Sequence, residues 1–175
     1  MTSLAPSSTK SIMLWSSKFS LFEPSIYESG GQYPEEIAEM INALETGSVA
    51  SVVRPEPHWN MLDVGAGGGR WSISFSGRVG SVTALEPSAI FTILKERTEA
   101  FKNIVCHRKA FEEFAASSKF NLIIISGVLM YILEPLELEK ILRKAVDLTE
   151  NGGFLVLREP VARAERCFTD TSYRS

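Results

Sequence analysis

Asn60-Met61-Leu62-Asp63-Val64-Gly65-Ala66-Gly67-Gly68-Gly69-Arg70 runs from a short apolar segment through a cluster of glycines toward a helix-forming stretch. Asn60 to Val64 suits a buried strand, because brief apolar runs ended by turn residues are typical of strands covered on both faces. Glycines behind such a strand let the backbone turn sharply and let a ligand lie against the main chain. A plain tight turn would also account for them. The dinucleotide fingerprint GxGxxG asks for glycine where this chain has Arg70, so that pattern fails. Asp63, just before the first glycine, can either hold the loop or face a cationic ligand.

The flanking sequence reads as alternating elements. Upstream, Pro34 precedes Ile37, Met40, Ile41 and Leu44 at helical spacing, and Gly47 is a stop signal. Residues 48–58, with Pro55 and Pro57, read as a linker. Downstream, Gly80 to Glu86 is a second strand, and Pro87 opens a helix through Ala100. Asn103 to His107 is a weaker third strand, and Phe120 to Ser126 is the strongest of all. Pro135 to Leu148 places Leu138, Ile141, Leu142 and Ala145 on one helical face. Asn151-Gly152-Gly153 ends that helix, and Phe154 to Leu157 is a fifth strand. This order predicts an α/β fold, a three-layer doubly wound, mostly parallel sheet with right-handed crossovers.

Glu86 closes the second strand 21 positions after Gly65. In this architecture an acid there reaches the two ribose hydroxyls of an adenosine. It could also be an acid stabilised by the start of a helix. Glycine loop and acid together, at this distance, point to nucleoside binding.

Four segments now carry a family resemblance. LDVGAGGGR resembles the first motif of class I S-adenosylmethionine-dependent methyltransferases, and VTALEPS resembles their acidic second-strand motif. FNLIIISGVLMYI is similar to the fourth-strand motif, and ENGGFLVLREP to the turn and fifth strand. The resemblance covers roughly residues 33–160. It implies S-adenosyl-L-methionine as cofactor, with Asp63, Gly65, Ala66, Gly67 and Gly69 around its methionine part. Glu86 would hold the ribose, with Pro87 and Ser88 beside the adenosine. Ala110 and Phe111 would flank adenine, Ser126 and Gly127 would lie under the sulfonium end, and Tyr33 would be a lid. Asn121 stands where many relatives have Asp. The chain ends at Ser175, so the resemblance implies a C-terminally shortened form of five strands, without the family's sixth and seventh. Residues 1–32 then form an N-terminal arm and 33–175 the cofactor-binding domain, whose exposed sheet edge invites self-association.

Methyl transfer from a sulfonium is an in-line displacement with a neutral thioether as leaving group. Alignment can supply roughly 7–11 kcal/mol of the barrier lowering, and a base matters only for an acceptor that must lose a proton. Tyr131, Glu134 and Glu159 are candidates near the carboxyl ends of strands four and five. Each has a plainer reading, as core aromatic, helix-start acid and surface acid respectively. His58 precedes the first strand, at the wrong end of the sheet, and His107 reads as structural.

Composition narrows the rest. The 175 residues are 45% hydrophobic and 22% charged with net charge -3, an ordinary globular chain without a basic face for nucleic acid. Base-specific amino methyltransferases carry an Asn- or Asp-Pro-Pro-aromatic motif where this chain reads Ser126-Gly127-Val128-Leu129. Two cysteines, Cys106 and Cys167, and two histidines argue against zinc and against a disulfide framework, and fit a reducing, cytoplasmic setting. The apolar stretch Leu122 to Leu133 is too short to span a bilayer. The first 22 residues hold Lys10 and Lys18 but no acid and no Arg, which fits an ordered arm better than a transit peptide. The expected function is methylation of a small molecule or peptide. The alternative is a methyltransferase-like module that binds cofactor or a partner without catalysis.

Overall fold

In the computed structural model, which describes residues 35–159, the chain forms α1 (Glu35–Val53), β1 (Asn60–Val64), α2 (Arg70–Ser76), β2 (Ser81–Leu85) and α3 (Phe91–Thr98). There follow β3 (Ile104–His107), β4 (Phe120–Ser126), a 3-10 turn (Leu129–Tyr131), α4 (Pro135–Leu148) and β5 (Thr149–Arg158). The arm, Tyr33, Cys167 and the residues after Glu159 lie outside the described residues.

All four strand pairings are parallel, in the order β3-β2-β1-β4-β5. Strand alternation sends successive side chains to opposite faces and so builds two cores. Met61, Val82, Leu122 and Ile124 pack against Ala50 and Val53 of α1 and Trp71 and Phe75 of α2. Leu62, Val64, Ile123 and Ile125 pack against Ile141 and Ala145 of α4 and against Phe111. Ile123, Ile124 and Ile125 are fully buried, each stabilising the fold by about 1.5–3 kcal/mol relative to exposure. At the amino ends of β1 and β4, the Asn60 and Asn121 amides accept from each other's backbone N–H at 3.0 and 3.1 Å. Asn121 therefore serves sheet register, far from the carboxyl ends.

Three local expectations change. The linker begins later than expected, because α1 runs through Gly47 to Val53 before Arg54, at φ 52, ends it ahead of Pro55. Gly47 is exposed and costs the helix only about 1 kcal/mol, which burial of Ala50 and Val53 offsets. The sheet-facing side of α1 is accordingly Ala50 and Val53, Ala38 is also buried, and Ile37, Met40 and Leu44 are exposed. The helix expected from Pro87 starts only at Phe91. Glu86 accepts the Ser88 N–H and Ser88 Oγ accepts the Ile90 N–H, so side-chain turns take the amides a helix start would present. Finally, β5 begins at Thr149 instead of Phe154. Between the pairs Phe120–Thr149 and Leu122–Phe154, two steps on β4 face five on β5, and Asn151-Gly152-Gly153 forms that excursion. Among the described residues β5 pairs only with β4, and its Leu157 is exposed.

Candidate functional site

The chain leaves central β1 toward β2 and β3, then returns to β4 on the other side. A ligand crevice forms at such a reversal, outside the carboxyl ends of the two strands. Two loops meet there, residues 65–69 after β1 and 127–131 after β4. Gly65, Gly67 and Gly69 have φ of 68, 54 and 90°. A Cβ on Gly65 would lie 2.4 Å from Val128 Cγ2, so this glycine is required by its dihedral and by the β4 loop pressed against it. The Ala66 N–H donates to the Leu85 carbonyl at 2.8 Å, docking the glycine loop on the end of β2.

Glu86 sits at that junction, 3% exposed. Its Oε2 accepts the Gly67 N–H at 2.9 Å and its Oε1 the Ser88 N–H at 2.8 Å. An ionised carboxylate offers about four lone-pair positions, so roughly two remain for a diol. Asp63 accepts both the Ser72 N–H, at 3.0 Å, and the Ser72 hydroxyl, at 2.6 Å, and thereby ties β1 to α2.

Burial pushes the Asp63 pKa up to about 6 from 3.8, with the Ser72 bonds opposing and the Glu86 charge adding to the rise. Because the folded state binds this proton more tightly than the unfolded chain, stability falls as pH rises from about 4 to 6 and is flat above. Asp63→Asn keeps an acceptor for Ser72 and abolishes that slope. Its stability relative to the parent should rise by at most about 3 kcal/mol from pH 4 to pH 7. Chemical denaturation of both proteins across that range measures the difference, and a pH-independent difference contradicts the assignment.

Arg70, at the position that excludes the dinucleotide pattern, is buried and lies 4.9 Å over the Trp71 ring. Its Nε donates to Asn42 Oδ1 at 2.8 Å and its Nη2 pairs with Glu45 of α1. Arg158 pairs with the other Glu45 oxygen at 2.7 Å. Burial pushes Glu45 up, but hydrogen bonds from the two guanidinium groups outweigh it and hold the carboxyl below its ordinary range. One acid thus joins α1, the start of α2 and the end of β5.

On the β4 side, Ser126 is buried, and Gly127, at φ 66°, donates its N–H to the Arg158 carbonyl. Glu159 accepts the N–H groups of Val128 and Leu129, each at 2.9 Å, and of Met130 at 3.2 Å. Burial pushes its pKa up, against the pull of those amides. Tyr131 closes the turn by donating its N–H to the Val128 carbonyl. The Glu134 side chain makes no cap bond to α4, although its carbonyl accepts from Glu137 and Leu138 N–H.

The structure therefore gathers Gly67, Glu86 and Ser88 through direct bonds, holds Ala66 on the end of β2 and Gly65 against Val128 beside them, and places Ser126, Gly127, Tyr131 and Glu159 around the neighbouring loop. Gly69 approaches Leu94 of α3. Ala110 lies on the turn after β3, while the Phe111 ring is buried in the α4-side core. His107 packs 5.7 Å from the Phe114 ring, and exposed His58 lies near Glu56. Val128, Ser72 and Glu45 escaped the sequence reading, since no spacing links them to the loop. Among the described residues no acidic, Cys or His cluster could hold a metal ion, and no helix is long and apolar enough to cross a membrane.

A glycine loop hydrogen-bonded to an acid at the end of β2 defines a nucleoside-binding α/β domain of the methyltransferase type. The family described as "Methyltransferase domain" matches residues 61–153, more than half of the chain, which therefore belongs to the class I S-adenosylmethionine-dependent methyltransferases. Comparison with curated protein sequences finds no match. Among solved structures, Haemonchus contortus phosphoethanolamine N-methyltransferase 1, in complex with phosphoethanolamine and S-adenosylhomocysteine, superposes with a TM-score of 0.72 at 17% identity, covering 94% of this chain and 34% of that one. CalS10, an amino pentose methyltransferase from Micromonospora echinaspora with bound S-adenosylmethionine, gives 0.62 at 20%, covering 75% and 58%. Streptomyces venezuelae DesVI gives 0.59 at 23%, covering 67% and 50%. The chain thus spans between a third and somewhat over half of these proteins, and the likeness establishes the fold. The cofactor is S-adenosylmethionine. The spare lone pairs of Glu86 suit its ribose, and the positive-φ glycines suit a close backbone approach.

Proposed function

We propose that this domain transfers the methyl group of S-adenosylmethionine to a small-molecule or peptide acceptor. The observation that carries the reading is the bond from Gly67 N–H to Glu86, which joins the two cofactor motifs into one surface. The cofactor, when bound, supplies an electrophilic methyl on a sulfonium. Gly65, Ala66, Gly67 and Gly69 line its methionine part, and Asp63 acts from behind them by fixing α2. Glu86 holds the ribose, Pro87, Ser88 and Ala110 bound the adenosine, and Phe111 supports Ala110 from the core. Ser126 and Gly127 lie under the sulfonium end. No acid is needed for a neutral leaving group, so these residues act by alignment. Tyr131 and Glu134 are the remaining candidates to meet an acceptor proton, because Glu159 is engaged by three amides. The small acceptors in the names of the phosphoethanolamine and amino pentose enzymes support a small molecule here.

One observation favours the second reading, binding without catalysis: the Glu159 carboxylate holds a loop. Two measurements separate the readings. Calorimetric titration with S-adenosylhomocysteine should show binding and a raised melting temperature, as mass action requires, whereas NAD should do neither. Stabilisation by NAD alone removes the cofactor assignment. Transfer of labelled methyl to a panel of amines, hydroxyl compounds and peptides then distinguishes an enzyme from a binding module.

A further inference from the structure

The turn after β3 is held by a side chain from the far side of the sequence. Lys144 of α4 donates its ammonium to the carbonyls of Phe111 at 2.6 Å, Glu112 at 3.0 Å and Phe114 at 2.7 Å. Its Nζ also lies 5.0 Å over the Phe111 ring. An ammonium has three protons and here meets three acceptors, a complete match for a compact cation. The turn is otherwise closed weakly, by Glu113 N–H to the Ala110 carbonyl and Phe114 N–H to the Phe111 carbonyl, both at 3.2 Å. From His107 to Phe120 no helix or strand carries the chain, so the place of Ala110 rests on these two bonds, on the buried Phe111 ring and on the Lys144 clasp. Burial lowers the Lys144 pKa, with Glu112 opposing, as expected of an amine partly removed from water.

We infer that Lys144 is a positioning residue for the adenine end of the cofactor site: it clasps residues 111–114 and thereby places Ala110. The inference rests on the reading above, in which Ala110 bounds the adenosine. Removing the ammonium frees three carbonyls and loosens the turn without touching Glu86 or the glycine loop. Lys144→Met keeps the stem over Phe111, and Lys144→Arg keeps a cationic donor.

The experiment titrates the parent, both variants and Ala110→Trp with S-adenosylhomocysteine and with 5′-methylthioadenosine, which retains the adenosine but lacks the amino-acid part. Lys144→Met should weaken both ligands by the same factor, about five- to tenfold, with Lys144→Arg, whose planar fork cannot converge on three carbonyls as an ammonium does, recovering only part of it. A purely structural lysine would lower the melting temperature but leave both affinities alone, and that result overturns the inference. So does a loss confined to S-adenosylhomocysteine. Ala110→Trp separates the two levels. If it binds normally, the adenine placement is wrong. If it fails to bind while Lys144→Met binds as the parent does, only the role of Lys144 falls.

Discussion

Glu86→Ala should weaken S-adenosylhomocysteine binding roughly ten- to a hundredfold, the range expected when hydrogen bonds to a charged acceptor worth about 1.5–3 kcal/mol are removed. The carboxylate also has internal partners, so the substitution reaches beyond the ligand. Gly67 and Ser88 would each lose the acceptor of a buried N–H, at a cost of about 1–3 kcal/mol in stability. At about 2–4 °C per kcal/mol the melting temperature should drop by several degrees. Affinity therefore has to be measured well below the variant's own transition, where the protein is folded. Glu86→Gln retains one oxygen for one of the two amides and should fall between parent and Ala in both respects. A folded Glu86→Ala protein with parental affinity would remove Glu86 from the site and leave it only as the latch between the glycine loop and α3.

How much of this could be read from the sequence depends on the distance over which each cause acts. The five strands and the α4 helix are set by local apolar patterning, and Phe120–Ser126 and Pro135–Leu148 were legible to the residue. The glycine loop and Glu86 were legible because a strand–turn–helix unit with an acid at the next strand end is a local arrangement. Ends decided by tertiary contact were not. Helix α1 passes Gly47 because Ala50 and Val53 meet Trp71 and Phe75, contacts that no window around Gly47 contains. The start of α3 was misplaced because Glu86 and Ser88 compete for the amides that Pro87 would have led into a helix. The partners of the site were least legible. Asp63–Ser72, Glu45–Arg70–Arg158 and Lys144 with the 111–114 turn join positions 9 to 113 residues apart, and only the fold says which meet.

Glu159 should prove to be a positioning residue rather than a general base, and two substitutions tell these apart. Its carboxylate gathers the N–H groups of residues 128–130. Val128 in turn stands against Gly65, whose Cβ position is 2.4 Å from Val128 Cγ2. This side chain, just past the end of β5, therefore helps to set the spacing between the β4 loop and the glycine loop, together with the Gly127 N–H bond to the Arg158 carbonyl. Glu159→Ala leaves three part-buried amides without their acceptor and should cost about 2–4 kcal/mol, allowing for non-additivity. That corresponds to a fall of roughly 5–15 °C in melting temperature. On the proposed function, methyl transfer should drop about a hundredfold as Val128 moves, the scale of loss produced by an ångström of misplacement. Glu159→Gln keeps an oxygen for Val128 and Leu129 and gives up only the longest of the three bonds, at 3.2 Å to Met130. It should lose about 1 kcal/mol and stay within about fivefold of parental turnover. A base cannot be replaced in this way: Gln takes no proton, so general-base catalysis by Glu159 would cost Gln and Ala alike about 10²–10⁴-fold. Turnover by Glu159→Gln as poor as that of Glu159→Ala, with its melting temperature near the parent's, would return Glu159 to the chemistry.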